Sequence, residues 1–264
     1  MNGARVLVTN DDGIDSAGLH ALARAAISEG HDVVIAAPDS EMSGASASIT
    51  AHHADAVTAA GGRGRVRVER SSVAGLDVAA HRVHAAPALI ALLAAHGAFG
   101  APPDLVLSGI NRGANVGRAI LHSGTVGAAL AGALNGARGL AVSLDVRDLD
   151  DPLHWETAAT LARLVVSRVL AAPVGTIVSL NVPNVDSAVD VTLREAPLAH
   201  FGIVHTTVTD RDDDQHLVLE ITDPDDPPGA DTDAALLLAG SATLTSLKSV
   251  AESGEPFLTT RLST

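Results

Sequence analysis

The chain has no cysteine and no tyrosine, and only one tryptophan and three phenylalanines among 264 residues. Without cysteine there is neither a disulfide nor a thiolate metal site, and a reducing compartment fits. With aromatics at 2%, the core has to be built from small and branched apolar residues; hydrophobic residues make up 47% of the chain, so a substantial core is available. Positive charge is also scarce. Lys and Arg number 17 against 31 Asp and Glu, a formal net charge of −14. A long nucleic acid is held through clustered Lys and Arg, so that partner is excluded. A small phosphorylated ligand is not, because a metal ion and backbone N–H groups can supply the local positive field. No apolar run approaches the length of a membrane span, and no basic stretch followed by an apolar leader opens the chain. A soluble cytoplasmic protein with no membrane partner is expected. Nor are there internal repeats. The glycine fingerprint G-x-G-x-x-G is missing from "TNDDGIDSAG", which argues against a nucleotide-dependent oxidoreductase.

What is present is an alternation of strands and helices. "RVLVTN" reads as a short buried strand. "SAGLHALARAAISEG" carries Leu19, Leu22, Ala23, Ala26 and Ile27 at helical spacing, with Gly30 as its stop. "HDVVIAAP" is a second strand and "APALIALLAAHGAFG" a helix with Pro87 in its first turn. "PDLVLSG", "GLAVSL" and "TIVSLNVP" read as further strands, with helices over "SGTVGAALAGALNG" and "HWETAATLARLVVSRVLA" between them. A Gly-rich turn beside a short basic strand is read at 59–72. Continuous apolar strands alternating with helices predict an α/β fold, a mostly parallel sheet covered on both faces. After Pro183 the texture changes. "DVTLREA", "GIVHTTVTD" and "QHLVLEITD" read as antiparallel strands, "DRDDD" at 210–214 as a turn, and 223–233 as irregular. "DAALLLAGSATLTSL" reads as a helix running into a last strand. The chain is therefore divided into a core over 1–183, an antiparallel extension over 184–230 and a C-terminal segment over 231–264.

Ligands of open parallel sheets bind beyond the carboxyl ends of the strands. Three loops fall there: Asn10-Asp11-Asp12-Gly13, residues 38–48 ("PDSEMSGASAS"), and residues 108–117 ("SGINRGANVG") leading into "HSGTVGAA". Each has a plain structural use. Asn and Asp cap helices, "SGAS" suits a surface loop, and Ser123 or Thr125 suits a helix N-cap. Together, however, they bring two carboxylates, hydroxyls, amides and many glycines to successive strand ends. Adjacent carboxylates repel, and a divalent cation relieves that best. Oxygen donors of this kind suit Mg²⁺, Mn²⁺ or Ca²⁺.

The same residues carry a family resemblance. "VLVTNDDGI", "APDSEMSGASASIT", "PDLVLSGINRGANVG", "HSGTVGAALAG" and "AVSL" resemble, in order and spacing, the SurE family of survival nucleotidases, and "SLNVPN" and "DTDAALLLAGSATLTSL" extend the match. The resemblance implies a Rossmann-like three-layer αβα core with a C-terminal β-hairpin extension used for oligomerisation. It also implies metal-dependent hydrolysis of nucleoside 5′- and 3′-monophosphates, with short polyphosphate a substrate of some members. Carried over residue by residue, it implies one divalent cation per subunit on Asp11, Asp12, Ser43 and Asn111. Only the resemblance selects Ser43 over Ser46 or Ser48. Asp11, Asp12 and Asn111 are the expected catalytic residues. Gly44, Asn115, Ser123, Gly124 and Thr125 are the expected phosphate contacts, with the Ser-Gly-Thr turn holding phosphate oxygens at a helix N-terminus. The implied assembly is a homodimer or dimer of dimers with C-terminal exchange, residues around 200–222 lying between chains. The sequence departs from the family pattern at Ala85, Ala86 and Leu89, at His122 where a Tyr is usual, and at Ala131 where a Glu is usual. Two further readings follow from these departures: a phosphatase for a non-nucleotide metabolite, and a module that binds metal and phosphate without turnover.

Overall fold

The computed structural model describes residues 3–51, 64–148, 150–200, 205–211, 217–222 and 227–250. Nine strands form one sheet in the order β3-β4-β2-β1-β5-β6-β7-β11-β8. The apolar runs supply its centre: β1 (Arg5–Thr9), β2 (Asp32–Pro38), β5 (Leu105–Arg112), β6 (Arg138–Asp145) and β7 (Ile177–Pro183). These five and β4 (Ala79–Val83) are parallel. β3 (Val68–Ser71) closes one border antiparallel to β4.

Helices cover both faces. α1 (Ala17–Ser28) and α4 (Trp155–Ala171) pack together on one face, where Leu19, Leu22, Leu161 and Val165 meet Val8, Leu107 and Leu140. α2 (Pro87–Ala95) and α3 (Gly124–Leu134) lie on the other. Small residues take over the role that aromatics play elsewhere. A Cβ on Gly132 would lie 2.3 Å from the Val106 side chain, and one on Gly139 2.3 Å from the Ala129 carbonyl oxygen. Helix α3 therefore rides close on β5 and β6, and close packing in place of bulk fills the interior. The result is the expected three-layer α/β core.

The chain leaves β1 through α1 toward β2 and β4, then returns through α2 to place β5 on the other side of β1. The strand order thus reverses between β1 and β5, and a crevice opens above that point.

Several readings are corrected. β5 runs on to Arg112, so Asn111 and Arg112 are strand residues and not loop. β4, a short and partly polar segment, gives no apolar run to read and goes unrecognised in the sequence. β8 (Leu193–Glu195) does not pair antiparallel. It lies parallel to β11 (Ala242–Leu247), which is itself antiparallel to β7. The sheet therefore continues past Pro183, its last two strands coming from segments on either side of the hairpin. The hairpin strands β9 (His205–Arg211) and β10 (Leu217–Thr222) are antiparallel as expected and form a separate two-stranded sheet. Part of the expected turn at 210–214 and of the irregular stretch at 223–233 lies outside the described residues. α5 (Asp233–Leu238) runs into β11 as expected.

Candidate active site

The apolar run of β1 ends where Asn10 turns the chain. Its buried amide nitrogen donates to the Gly13 carbonyl oxygen at 3.1 Å and to Ser16 Oγ at 2.7 Å, and Ser16 in turn caps α1 by accepting from the Leu19 N–H. This turn leaves Asp11 and Asp12 at the crevice between β1 and β5. They line a cleft of about 380 Å³ with Glu41, Ser43, Gly44, Asn111, Arg112, Asn115, Ala119, His122 and Ser123.

The two carboxylates live differently. Asp11 is 7% exposed. Its Oδ1 accepts from the hydroxyl of the fully buried Thr125, and the N–H groups of Thr125 and Gly124 also face it. The N-terminus of α3 is thereby occupied by the protein's own anion. A Cβ on Gly124 would lie 2.7 Å from Asp11 Oδ2, so only glycine admits this approach. Burial still pushes the Asp11 carboxyl upward, with the Thr125 hydrogen bond opposing. Asp12 is half-buried and pushed up to about 6, first by burial and then by the charge of Asp11; its Oδ2 accepts from the Arg112 N–H at 3.3 Å, which opposes the rise.

Asn111 donates its amide nitrogen to the Gly113 carbonyl oxygen at 2.8 Å, which leaves its amide oxygen as an acceptor in the cleft. Asn115 is held on three sides. Its N–H donates to Asn181 Oδ1 at 2.8 Å, its carbonyl accepts from Asn181 Nδ2 at 2.9 Å, and its own Nδ2 donates to Ser143 Oγ at 2.8 Å.

The loop after β2 is tied down by backbone. The Met42 N–H donates to the Asp11 carbonyl oxygen at 2.8 Å, and the Ser46 N–H to the His122 carbonyl oxygen at 3.2 Å. Ser46 Oγ donates to the Leu121 carbonyl oxygen at 2.6 Å. Gly127 of α3 makes room for this loop, since a Cβ there would lie 2.1 Å from the Ser46 carbonyl oxygen. Ser43 Oγ donates to Glu41 Oε1 at 2.6 Å.

The structure therefore gathers Asp11, Asp12, Ser43, Gly44, Asn111, Asn115 and Ser123 on one cleft. Gly124 and Thr125 are buried and face Asp11 at the N-terminus of α3. Ser123 lines the cleft, but its Oγ accepts from the Val126 N–H as the N-cap of α3. Glu41, Arg112 and Asn181 were not singled out by sequence. For Asn181 a signal existed, an amide inside the apolar run "IVSLNVP".

Among the described residues no three His, Asp or Glu side chains converge on a metal position. Neither Asp11 nor Asp12 forms an ion pair there. The four expected ligands offer oxygens only, two carboxylates with raised pKa plus an amide and a hydroxyl. That set fits a hard divalent cation.

The model of the family described as "Survival protein SurE" matches residues 6–205. The chain belongs to the SurE family. Relatives of this SurE-family chain include proteins named 5′-nucleotidase SurE from Stenotrophomonas maltophilia strain K279a, 40% identical over 182 residues, and from Xanthomonas campestris pv. campestris strain B100, 39% identical over 182. Each match covers 68% of this chain and 64% of the relative, so the chain spans somewhat less than two thirds of their length. The crystal structure of the SurE protein from Aquifex aeolicus superposes with a TM-score of 0.74 at 27% identity and covers 92% of each chain. The three-layer fold is thus shared with a solved SurE protein. Among the described residues no helix is long and apolar enough to cross a membrane.

Proposed function

We propose that this chain is a metal-dependent phosphomonoesterase that hydrolyses nucleoside 5′- and 3′-monophosphates to nucleoside and phosphate in the cytoplasm. The observation that carries this reading is the pair Asp11–Asp12, two carboxylates with raised pKa and, among the described residues, no basic side chain in an ion pair with them, opening on a polar cleft at the sheet's switch point. The relatives' printed names support the nucleotide as substrate. Asp11, Asp12, Ser43 and Asn111 would hold one divalent cation, Mg²⁺, Mn²⁺ or Ca²⁺. Such a cation supplies positive charge against phosphoryl oxygens and lowers the pKa of water.

The chain's own groups do the rest. Thr125 and the end of α3 fix Asp11 in one orientation. Asp12, the more exposed of the two, holds the freer carboxylate and is the candidate to accept a proton from the attacking water. The N–H of Gly44 and the side chains of Asn115 and Arg112 are the remaining contacts for phosphate oxygens, aligned before the reaction begins. Release of phosphate from a panel of nucleoside 5′- and 3′-monophosphates, with and without Mg²⁺ or Mn²⁺, tests the reading. Metal-dependent turnover is expected, and no turnover of any monophosphate with any of the cations rejects it.

One observation favours a second substrate class. His122 lines the cleft where the family usually carries Tyr, and among the described residues that line it there is no Phe or Trp. Sugar and other non-nucleotide monophosphates belong in the same panel. Faster turnover of these would move the assignment to a different metabolite.

We also infer that residues 184–230 serve assembly. The β9–β10 hairpin has no strand pairing with the main sheet, and an isolated two-stranded hairpin is marginal in water. Exchange between identical chains is a low-cost way to complete it. Light scattering is expected to give a dimer or a dimer of dimers, and deletion of 205–218 a monomer. A monomeric full chain rejects the inference.

A further inference from the structure

We propose that Asp233 is a positioning residue for the cleft, pinning its lip to the segment that leads into the hairpin. Asp233 is the first residue of α5, far in sequence from the site, and is fully buried. Its Oδ2 accepts from the Gly117 N–H at 2.8 Å. Its Oδ1 accepts from the Ala199 N–H and the Ala234 N–H, each at 2.8 Å. Its own N–H donates to the Pro197 carbonyl oxygen at 2.9 Å. The Arg118 N–H donates to the Ala199 carbonyl oxygen at 3.2 Å and closes the junction. Val116, Ala199, Ala234 and Leu237 pack around it as a small apolar cluster of their own.

Three pieces of chain meet at this carboxylate. One is the 3-10 helix Gly117–His122, which begins at Gly117 in the left-handed region (φ 59°) and delivers Ala119, His122 and then Ser123 to the cleft. The second is 197–199, immediately before the hairpin segment. The third is α5 itself. A carboxylate has acceptor sites for all three N–H groups, and an ionised acceptor holds each more tightly than a neutral one. An amide does not: one of its two positions is an NH₂, which faces an N–H whichever way the group is turned. Asp233→Asn therefore breaks one side of the junction while keeping size and shape.

This inference rests on the phosphatase reading only for its kinetic arm. In Asp233→Asn, amide exchange over 117–123 is expected to speed up about tenfold or more, the scale of losing one hydrogen bond to a charged group. Exchange in β1, β5 and β6 should stay unchanged. The KM for a nucleoside monophosphate should rise by a similar factor with kcat within about twofold, and Mn²⁺ affinity measured calorimetrically should not move. Unchanged exchange over 117–123 overturns the proposal. So does a uniform rise across the sheet, which marks a stability role alone. If wild type turns over no monophosphate, the exchange arm still decides. Should the variant not fold, the wild-type chain suffices: the Gly117 amide is expected to exchange about tenfold or more slowly than that of Ala114 in the same loop, and equal rates overturn the pinning.

Discussion

The floor of the cleft and its lip are built on different principles. The floor consists of Asp11, Asp12 and Asn111 at the ends of two adjacent, largely buried parallel strands. Their positions follow from strand register and from a core of Val6, Val8, Leu105 and Leu107 with almost no exposed surface. The lip consists of the loop after β2 and the 3-10 helix Gly117–His122. Backbone hydrogen bonds to Asp11, His122 and Ala199 hold it, together with a single buried carboxylate. A strand end is hard to displace without unfolding the sheet, whereas a lip held by a few bonds can be retuned one bond at a time. On the proposed reading, three of the four cation ligands are mounted on the sheet, and most of the substrate fit, with Ser43 as the fourth ligand, on the loops. Changes in the floor should therefore act on rate and cation binding, and changes in the lip outside Ser43 chiefly on KM.

The contrast can be broken most severely at Asp12. Asp12→Asn keeps the shape of the floor and removes one charge. Turnover of monophosphates with Mn²⁺ should fall roughly a hundredfold to a thousandfold, the scale of losing one preorganised charge-stabilising group. Steady-state rates at saturating metal check this, and wild-type turnover in the variant breaks the assignment. Next is Thr125→Val, which removes the hydroxyl from Asp11 Oδ1 without opening a large cavity. Mn²⁺ affinity should weaken about tenfold to a hundredfold, as for other groups that orient a ligand, and Thr125→Ser should restore most of it. Calorimetric titration reads both.

A smaller effect concerns pH. The Asp12 carboxyl rises from 3.8 to about 6 on folding, chiefly through burial, so its charged form is disfavoured in the native state. That cost is full above about pH 6 and gone below the unfolded value of 3.8. The metal-free Asp12→Asn protein should thus be more stable than wild type at pH 7.5, by about 1 kcal/mol after discounting for partial exposure. The gap should shrink as pH falls through 6 and close near 4. Thermal unfolding in chelator across pH 4–8 measures it. The smallest expected effect lies on the lip. Glu41→Gln leaves a weaker partner for Ser43 Oγ, worth about 0.5–1.5 kcal/mol at most, so KM should change about tenfold or less with kcat kept.

The same division explains what the residues disclosed in advance. Apolar runs and their ends are local signals, so β1, β2, β5 and the three loops at the crevice could be read from periodicity and turn residues. The pairing of Asp11 and Asp12 at a strand tip could be read as well. The helix that relieves them could not. α1 follows them in sequence, yet it is α3 that offers its N-terminus, because strand order and not sequence order decides which helix overhangs β1. The bond from the Thr125 hydroxyl to Asp11 could not be read for the same reason. β8 looked antiparallel because polar alternation says nothing of direction, and its partner β11 lies on the far side of the hairpin. Nothing in the sequence marks Asp233, whose burial and three accepted N–H bonds arise only where distant segments meet.

The bonds that complete the cleft span long stretches of chain: 100 residues from Asp12 to the Arg112 N–H, 114 from Asp11 to Thr125, and 116 from Gly117 to Asp233. Chains are synthesised from the N-terminus, so the paired carboxylates emerge well before Arg112, Thr125 and Asp233. Contacts of such separation form late and slowly. A nascent or truncated chain that ends before α5 therefore carries the acidic pair without the finished cleft around it, and the junction that completes the lip forms only once the chain has been made through Asp233.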